Sequence, residues 1–260
     1  MPSVFSTFLQ KKALFRPVVL PAGHRFDFAE PFTEHFFDTQ DGASINALFF
    51  ASNEPVKRGV ILYFHGNRDN LQRWGALHRD FTSRGYDFLA ADYRGYGKSS
   101  GEPDEQAYFS DAALLYDWLR GQYDPEKIVL YGRSLGTGMA CYLAARVQAC
   151  SVILETPFDN IGGLLASHIR RHEPPFEPAF RFPNDEFLKM TRLPLLIFHG
   201  TRDRVVPYTC AENLKCLLKP GDAFVTIEGG SHNNLNTFEL YQKKLQECLT
   251  ACSDYNSRPV

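Results

Sequence analysis

The chain has 260 residues, 44% hydrophobic and 14% aromatic, enough to bury one substantial core. A formal net charge of −2 and a pI near 6.4 exclude a nucleic-acid surface, which needs a basic excess. No apolar run reaches the roughly 18 residues of a membrane-spanning helix, and Lys11 and Lys12 interrupt the opening too early for a signal peptide.

In chain order, "EHFFDTQDGASINALFFAS" reads as two antiparallel strands joined by a turn at Asp41-Gly42. From about residue 58 onward, continuous apolar runs alternate with amphipathic stretches. The runs are "GVILYF" (59–64), "YDFLAA" (86–91), "KIVLY" (127–131), "SVILE" (151–155), "PLLIFH" (194–199) and "AFVTIE" (223–228). Continuous rather than alternating runs suit parallel strands covered on both faces. Helical spacing links Leu71, Trp74, Leu77 and Phe81, with Asn70 as cap. It recurs in Ala112, Leu115, Trp118 and Leu119, then in Cys210, Leu214, Leu217 and Leu218. The last set is Phe238, Tyr241, Leu245, Cys248 and Leu249. The pattern predicts an α/β fold: one domain over residues 1–260 with a mainly parallel central sheet, helices on both faces and an antiparallel start. Residues 156–193 separate two strands by more than one crossover helix needs, and are expected to form a small cap. The six cysteines (Cys141, Cys150, Cys210, Cys216, Cys248 and Cys252) show no CxxC spacing and no disulfide-framework rhythm. They read as small core or surface residues of a reduced, cytoplasmic protein.

Ligands of open α/β sheets bind beyond the carboxyl ends of the strands, so the residues there are a test of function. His65-Gly66-Asn67 follows "ILYF", Gly132-Arg133-Ser134 follows "IVLY", Thr201-Arg202-Asp203 follows "LLIFHG" and Gly229-Gly230-Ser231-His232 follows "VTIE". A serine, an acid and a histidine thus reach one edge of the sheet from three strand ends. Gly132 and Gly136 bracket Ser134 in a strand–turn–helix context, where a sharp turn presents the hydroxyl. A serine needs a base within hydrogen-bond reach, and the base needs an acid to fix its tautomer. Ser134 is therefore the expected nucleophile, His232 the base and Asp203 the acid. Asp159, after "ILETPF", is the rival acid. Leu135 and Asn67 would supply the N–H groups for an oxyanion. His65 and His199 read as packing or loop-fixing residues.

The blocks "YFHGNRDN", "DYRGYGKSSG", "YGRSLGTG", "ETPFDN", "HGTRDRVVP" and "GGSHNNL" resemble, in order, those of the α/β-hydrolase superfamily. The resemblance covers about residues 34–250 and is strongest to small serine hydrolases of the serine-aminopeptidase-like branch. It implies the same roles for Ser134, Asp203, His232, Asn67 and Leu135. The first 33 residues lie outside the fold's common core. The chain lacks the "HGGG" of hormone-sensitive-lipase-like esterases, and Arg133 replaces the residues favoured in monoglyceride lipases.

"GYGKSSG" (95–101) ends like a phosphate-binding loop, but Asp92 stands where that motif needs its first glycine. "GRSLGTG" lacks dinucleotide-binding spacing, and no element carries metal-ligand spacing, so no cofactor or metal is expected. Serine at position 134 excludes an aspartate nucleophile. The expected reaction is hydrolysis of a carboxylic ester or thioester, with an amide (aminopeptidase-type) substrate or a non-catalytic binding role as alternatives. The expected partner is a small-molecule substrate alone, with the protein a monomer. One amphipathic helix in the cap, followed by Phe176, Phe180 and Phe182, is expected to close a small pocket suited to short acyl groups. Arg170, Arg171 and Arg181 read as a solvated charged face.

Overall fold

The computed structural model describes residues 9–12, 14–169 and 177–255. The strands are β1 (Arg16–Pro17), β2 (Thr33–Asp38), β3 (Ser44–Phe50), β4 (Gly59–Phe64), β5 (Arg68–Asp69) and β6 (Tyr86–Ala91). They continue as β7 (Ile128–Arg133), β8 (Ser151–Glu155), β9 (Leu195–Gly200) and β10 (Ala223–Ile227). Eight form one sheet in the order β10-β9-β8-β7-β4-β6-β3-β2, while β1 and β5 make a separate parallel pair. Within the large sheet only the β2–β3 and β3–β6 pairings are antiparallel. The β2–β3 turn carries Gly42 at φ +85°, a left-handed conformation that costs glycine little.

Every residue of β4, β6, β7, β8 and β9 is buried, which explains their continuous apolar character. Their side chains alternate between two cores: Val60, Leu62 and Phe64 join one, and Ile61 and Tyr63 the other. β9 starts after Pro194, whose nitrogen has no hydrogen to donate to a ladder.

The helices are α1 (Leu71–Trp74), α2 (Arg79–Thr82), α3 (Glu105–Arg120) and α4 (Thr137–Ala144), then α5 (Ile161–His168), α6 (Asn184–Met190), α7 (Tyr208–Glu212) and α8 (Glu239–Tyr255). The residues expected as one helix from Leu71 to Phe81 are split by a 3-10 turn at Gly75–His78. Asn70 caps α1 by accepting from the Gln72 N–H at 3.0 Å. The interval 156–193 carries two described helices, α5 and α6, where one was expected. Met139, Ala140 and Leu143 of α4 pack with Phe182 and Phe187 in one core, so part of this interval is core rather than cover.

Reading all six cysteines as reduced fails at one pair. Cys150 and Cys252 form a disulfide, with Cα atoms 5.7 Å apart and the two cysteines 102 positions apart in sequence. The end of α8 lies against the start of β8, a contact that spacing along the chain does not reveal. Cys141, Cys210, Cys216 and Cys248 are free thiols. Without a fully reduced set, the cysteines give no support to a cytoplasmic location. Among the described residues, no helix is long and apolar enough to cross a membrane.

Candidate active site

The two glycines around Ser134 have a direct steric reason. A Cβ on Gly136 would lie 2.0 Å from the Phe64 carbonyl oxygen, and one on Gly132 would lie 2.6 Å from the Gly136 carbonyl oxygen. The turn after β7 thus presses against the end of β4, and only hydrogen fits at both contacts. Ser134 itself takes φ +52°, a costly conformation for a residue with a side chain. A 3-10 turn at Ser134–Gly136 leads into α4, and the Thr137 hydroxyl donates to the Ser134 carbonyl at 2.6 Å.

Three strand ends bring Ser134, His232 and Asp203 together. His232 Nε2 lies 3.1 Å from Ser134 Oγ, and His232 Nδ1 lies 2.7 Å from Asp203 Oδ2. The second Asp203 oxygen accepts the N–H groups of Val205 and Val206, at 2.8 and 2.9 Å. With both oxygens committed, the carboxylate is held as the acceptor for an Nδ1–H, which leaves Nε2 to accept from the serine. Asp159 is elsewhere: its oxygens accept from the Asn160 N–H and the Asn213 side chain. His199 is fully buried, with Nε2 on the Val206 carbonyl at 2.9 Å, and burial lowers its pKa. His65 packs 4.3 Å from the Tyr93 ring centroid, with Nδ1 against the Gly66 carbonyl and Nε2 3.2 Å from Asp92 Oδ1.

The loop after β4 runs beside Ser134, since a Cβ on Gly66 would stand 3.7 Å from the Ser134 Cβ. The next residue, Asn67, turns its side chain away to donate to the Leu14 carbonyl at 2.8 Å. Its own carbonyl accepts from the Arg16 N–H and the Tyr96 hydroxyl, at 3.0 and 2.9 Å. The Asn67 backbone is therefore clamped by the amino-terminal segment, which the sequence reading left without a part. Leu135 is buried at the start of the turn into α4.

Beneath the serine lies a network that motif reading missed. Arg133 reaches over to donate to the His232 carbonyl at 2.9 Å and to Asn233 Oδ1 at 3.2 Å. Its Nε is 3.4 Å from Glu155 Oε1, and its guanidinium lies 5.2 Å from the Trp74 ring centroid. Glu155 also accepts from the hydroxyls of Tyr131 and Tyr241, at 2.6 and 3.1 Å. Burial works against the Arg133 charge, yet Glu155 beside it carries the guanidinium above its ordinary pKa. Burial likewise raises the Tyr131 and Tyr241 phenols, so both stay protonated donors. The sequence signal was an arginine inside a glycine–serine turn, and nothing along the chain named its partners.

A cavity of about 570 Å³ opens over Ser134 and His232. Leu14, Ile161, Leu164, Leu165 and Phe180 give it an apolar wall, and Leu9, Gln10 and Arg16 bring the amino-terminal segment to its edge. Phe180 thus fulfils the expectation of an aromatic wall. Phe182 does not: it is fully buried against Gly138 and Phe109, in the core. Phe176, Arg170 and Arg171 lie outside the described residues. Arg181 is exposed and pairs with Glu186 at 3.2 Å, away from the cavity. Among the described residues no three His, Cys, Asp or Glu side chains gather as a metal site would need.

Residues 59–157 match the family model described as the alpha/beta hydrolase fold. The chain is 36% identical over 187 residues to the lysophosphatidylserine lipase ABHD12 of Danio rerio, covering 64% of this chain and 47% of that one. It spans less than half the length of such lipases. To the alpha/beta hydrolase domain-containing protein 17B of Xenopus tropicalis it is 30% identical over 212 residues, 78% of this chain and 70% of the relative. Among solved structures, the Pyrococcus furiosus esterase Pf2001 superposes with a TM-score of 0.73 at 18% identity, covering 91% of this chain and 98% of that one. The chain belongs to the α/β-hydrolase family.

Proposed function

We propose that the protein hydrolyses carboxylic esters through an acyl-enzyme on Ser134, with His232 as base and Asp203 as the acid that orients it. His232 Nε2 takes the proton from Ser134 Oγ as the oxygen attacks the ester carbonyl. The tetrahedral oxyanion is held by the backbone N–H groups of Asn67 and Leu135. Collapse expels the alcohol, which takes the proton from His232, and a water activated by the same nitrogen then releases the acid. Asp203 keeps Nδ1 protonated and stabilises the imidazolium without taking its proton. The α5 helix and Phe180 act as a cap on a single catalytic domain, with Leu164, Leu165 and Phe180 receiving the acyl chain.

The observation that carries this reading is the unbroken contact chain from Ser134 Oγ through His232 to Asp203, 3.1 and 2.7 Å. Relatives and fold neighbours named as lipases and esterases favour an ester over the thioester and amide alternatives. Pre-steady-state hydrolysis of p-nitrophenyl butyrate tests it. An acyl-enzyme predicts either a burst of p-nitrophenol near one equivalent or, if acylation limits, a covalent adduct trapped by a fluorophosphonate. A protein that cleaves aminoacyl amides and no ester overturns it.

A further inference from the structure

We infer that Arg16 and Arg68 form an anion subsite at the edge of the active-site cavity, and that the ester substrate carries a phosphate or carboxylate group. The inference rests on the ester-hydrolase reading above and adds a charge to its substrate. Among the described residues, four arginines (Arg16, Arg68, Arg73 and Arg133) line the cavity, and no aspartate or glutamate does. The chain as a whole has 28 basic and 30 acidic residues, so a lining of one sign is a local feature.

Two of the four are already neutralised. Arg133 pairs with Glu155, and Arg73 pairs with Asp69. Arg16 and Arg68 are exposed and form no side-chain ion pair among the described residues. They are also direct partners in the parallel β1–β5 ladder, Arg16 opposite Arg68. Side chains at such positions leave neighbouring strands about 4.8 Å apart. Like charges directly across a ladder are destabilising, and no carboxylate among the described residues relieves this pair. One phosphate or carboxylate between them would. Guanidinium groups suit that role, because their planar forks match both anions in a bidentate way.

The place also fits a substrate group rather than a stray ion. Arg68 follows Asn67 directly, and the Arg16 N–H bonds the Asn67 carbonyl at 3.0 Å. An anion held here is tied through one residue to the backbone that faces the developing oxyanion.

Three glycerol-based hexanoyl esters test the inference, differing only at the far carbon: a hydroxyl, a phosphate or a carboxylate. The wild-type protein is expected to favour at least one charged ester over the neutral one by about tenfold in kcat/KM. Which anion is preferred separates the two sources of charge. Raising NaCl to 0.5 M should shrink the preference several-fold, because exposed charges are screened. In Arg16→Gln/Arg68→Gln the ratio of charged to neutral rates should fall to about one, and Arg16→Lys/Arg68→Lys should keep part of it. Each ratio is internal to one protein, so a general loss of activity cancels. Equal rates in the wild type would overturn the inference and leave two solvated arginines. So would a ratio unchanged by the glutamine pair or, if that variant fails to fold, a wild-type preference indifferent to salt. A protein that cleaves none of the three and no p-nitrophenyl butyrate overturns the hydrolase reading instead.

Discussion

Replacing Arg133 separates folding from positioning in a way few other changes here can. Arg133 is 7% exposed and Glu155 4%, so Arg133→Met leaves a buried carboxylate without its cation, held by the Tyr131 and Tyr241 hydroxyls. Breaking one side of a buried ion pair costs about 3–5 kcal/mol, a large share of a typical stability of about 5–15 kcal/mol. Arg133→Met/Glu155→Leu removes both charges, and such apolar replacements are often neutral or stabilising. The double variant should therefore recover most of the denaturant midpoint lost by the single one. Its kcat should not recover. The Arg133 bonds to the His232 carbonyl and Asn233 are still missing, and a displacement of about 1 Å at a reacting group can cost about a hundredfold. Urea unfolding and p-nitrophenyl butyrate kinetics on the same preparations read the two effects. A double variant that regains both stability and kcat would refute the positioning role. A single variant destabilised by less than about 1 kcal/mol would refute the account of the buried pair.

Asp203→Asn should lower kcat by as much as about 10⁴, because the amide stabilises the wrong imidazole tautomer. Asp159→Asn, which disturbs only the contacts to Asn160 and Asn213, should cost far less, and a larger loss there would overturn the assignment. Across p-nitrophenyl esters, kcat/KM should rise over the first few carbons as each buried methylene gains about 0.8 kcal/mol, then fall by twelve carbons as the chain meets Leu164, Leu165 and Phe180. A rise continuing through sixteen carbons would mean that those side chains do not close the cavity.

What the sequence made legible was local. Strand ends, the glycine pair around Ser134 and the order of the chemistry-bearing residues are written in short windows, because parallel strands buried on both faces show as unbroken apolar runs. What it hid depends on distant residues meeting. Cys150 and Cys252 are joined across 102 residues, and Arg133 finds Glu155 and the His232 loop only because β7, β8 and the end of β10 lie together. Phe180 and Phe182 look alike in sequence, two residues apart. Only tertiary packing sends one to the cavity and the other against Gly138, where a Cβ would lie 2.5 Å from its ring. The amino-terminal segment carries no motif at all, yet the Leu14 carbonyl and the Arg16 N–H clamp Asn67.

The central claim is that Ser134 becomes covalently acylated, and active-site labelling tests it most directly. The wild-type protein treated with a fluorophosphonate probe, digested and analysed by mass spectrometry should carry one adduct, on the peptide containing Ser134. Ser134→Ala should carry none, with ester hydrolysis lost by several orders of magnitude and the circular dichroism unchanged. An adduct of equal yield in Ser134→Ala, or one mapped to Ser99 or Ser231 in the wild type, would contradict the account.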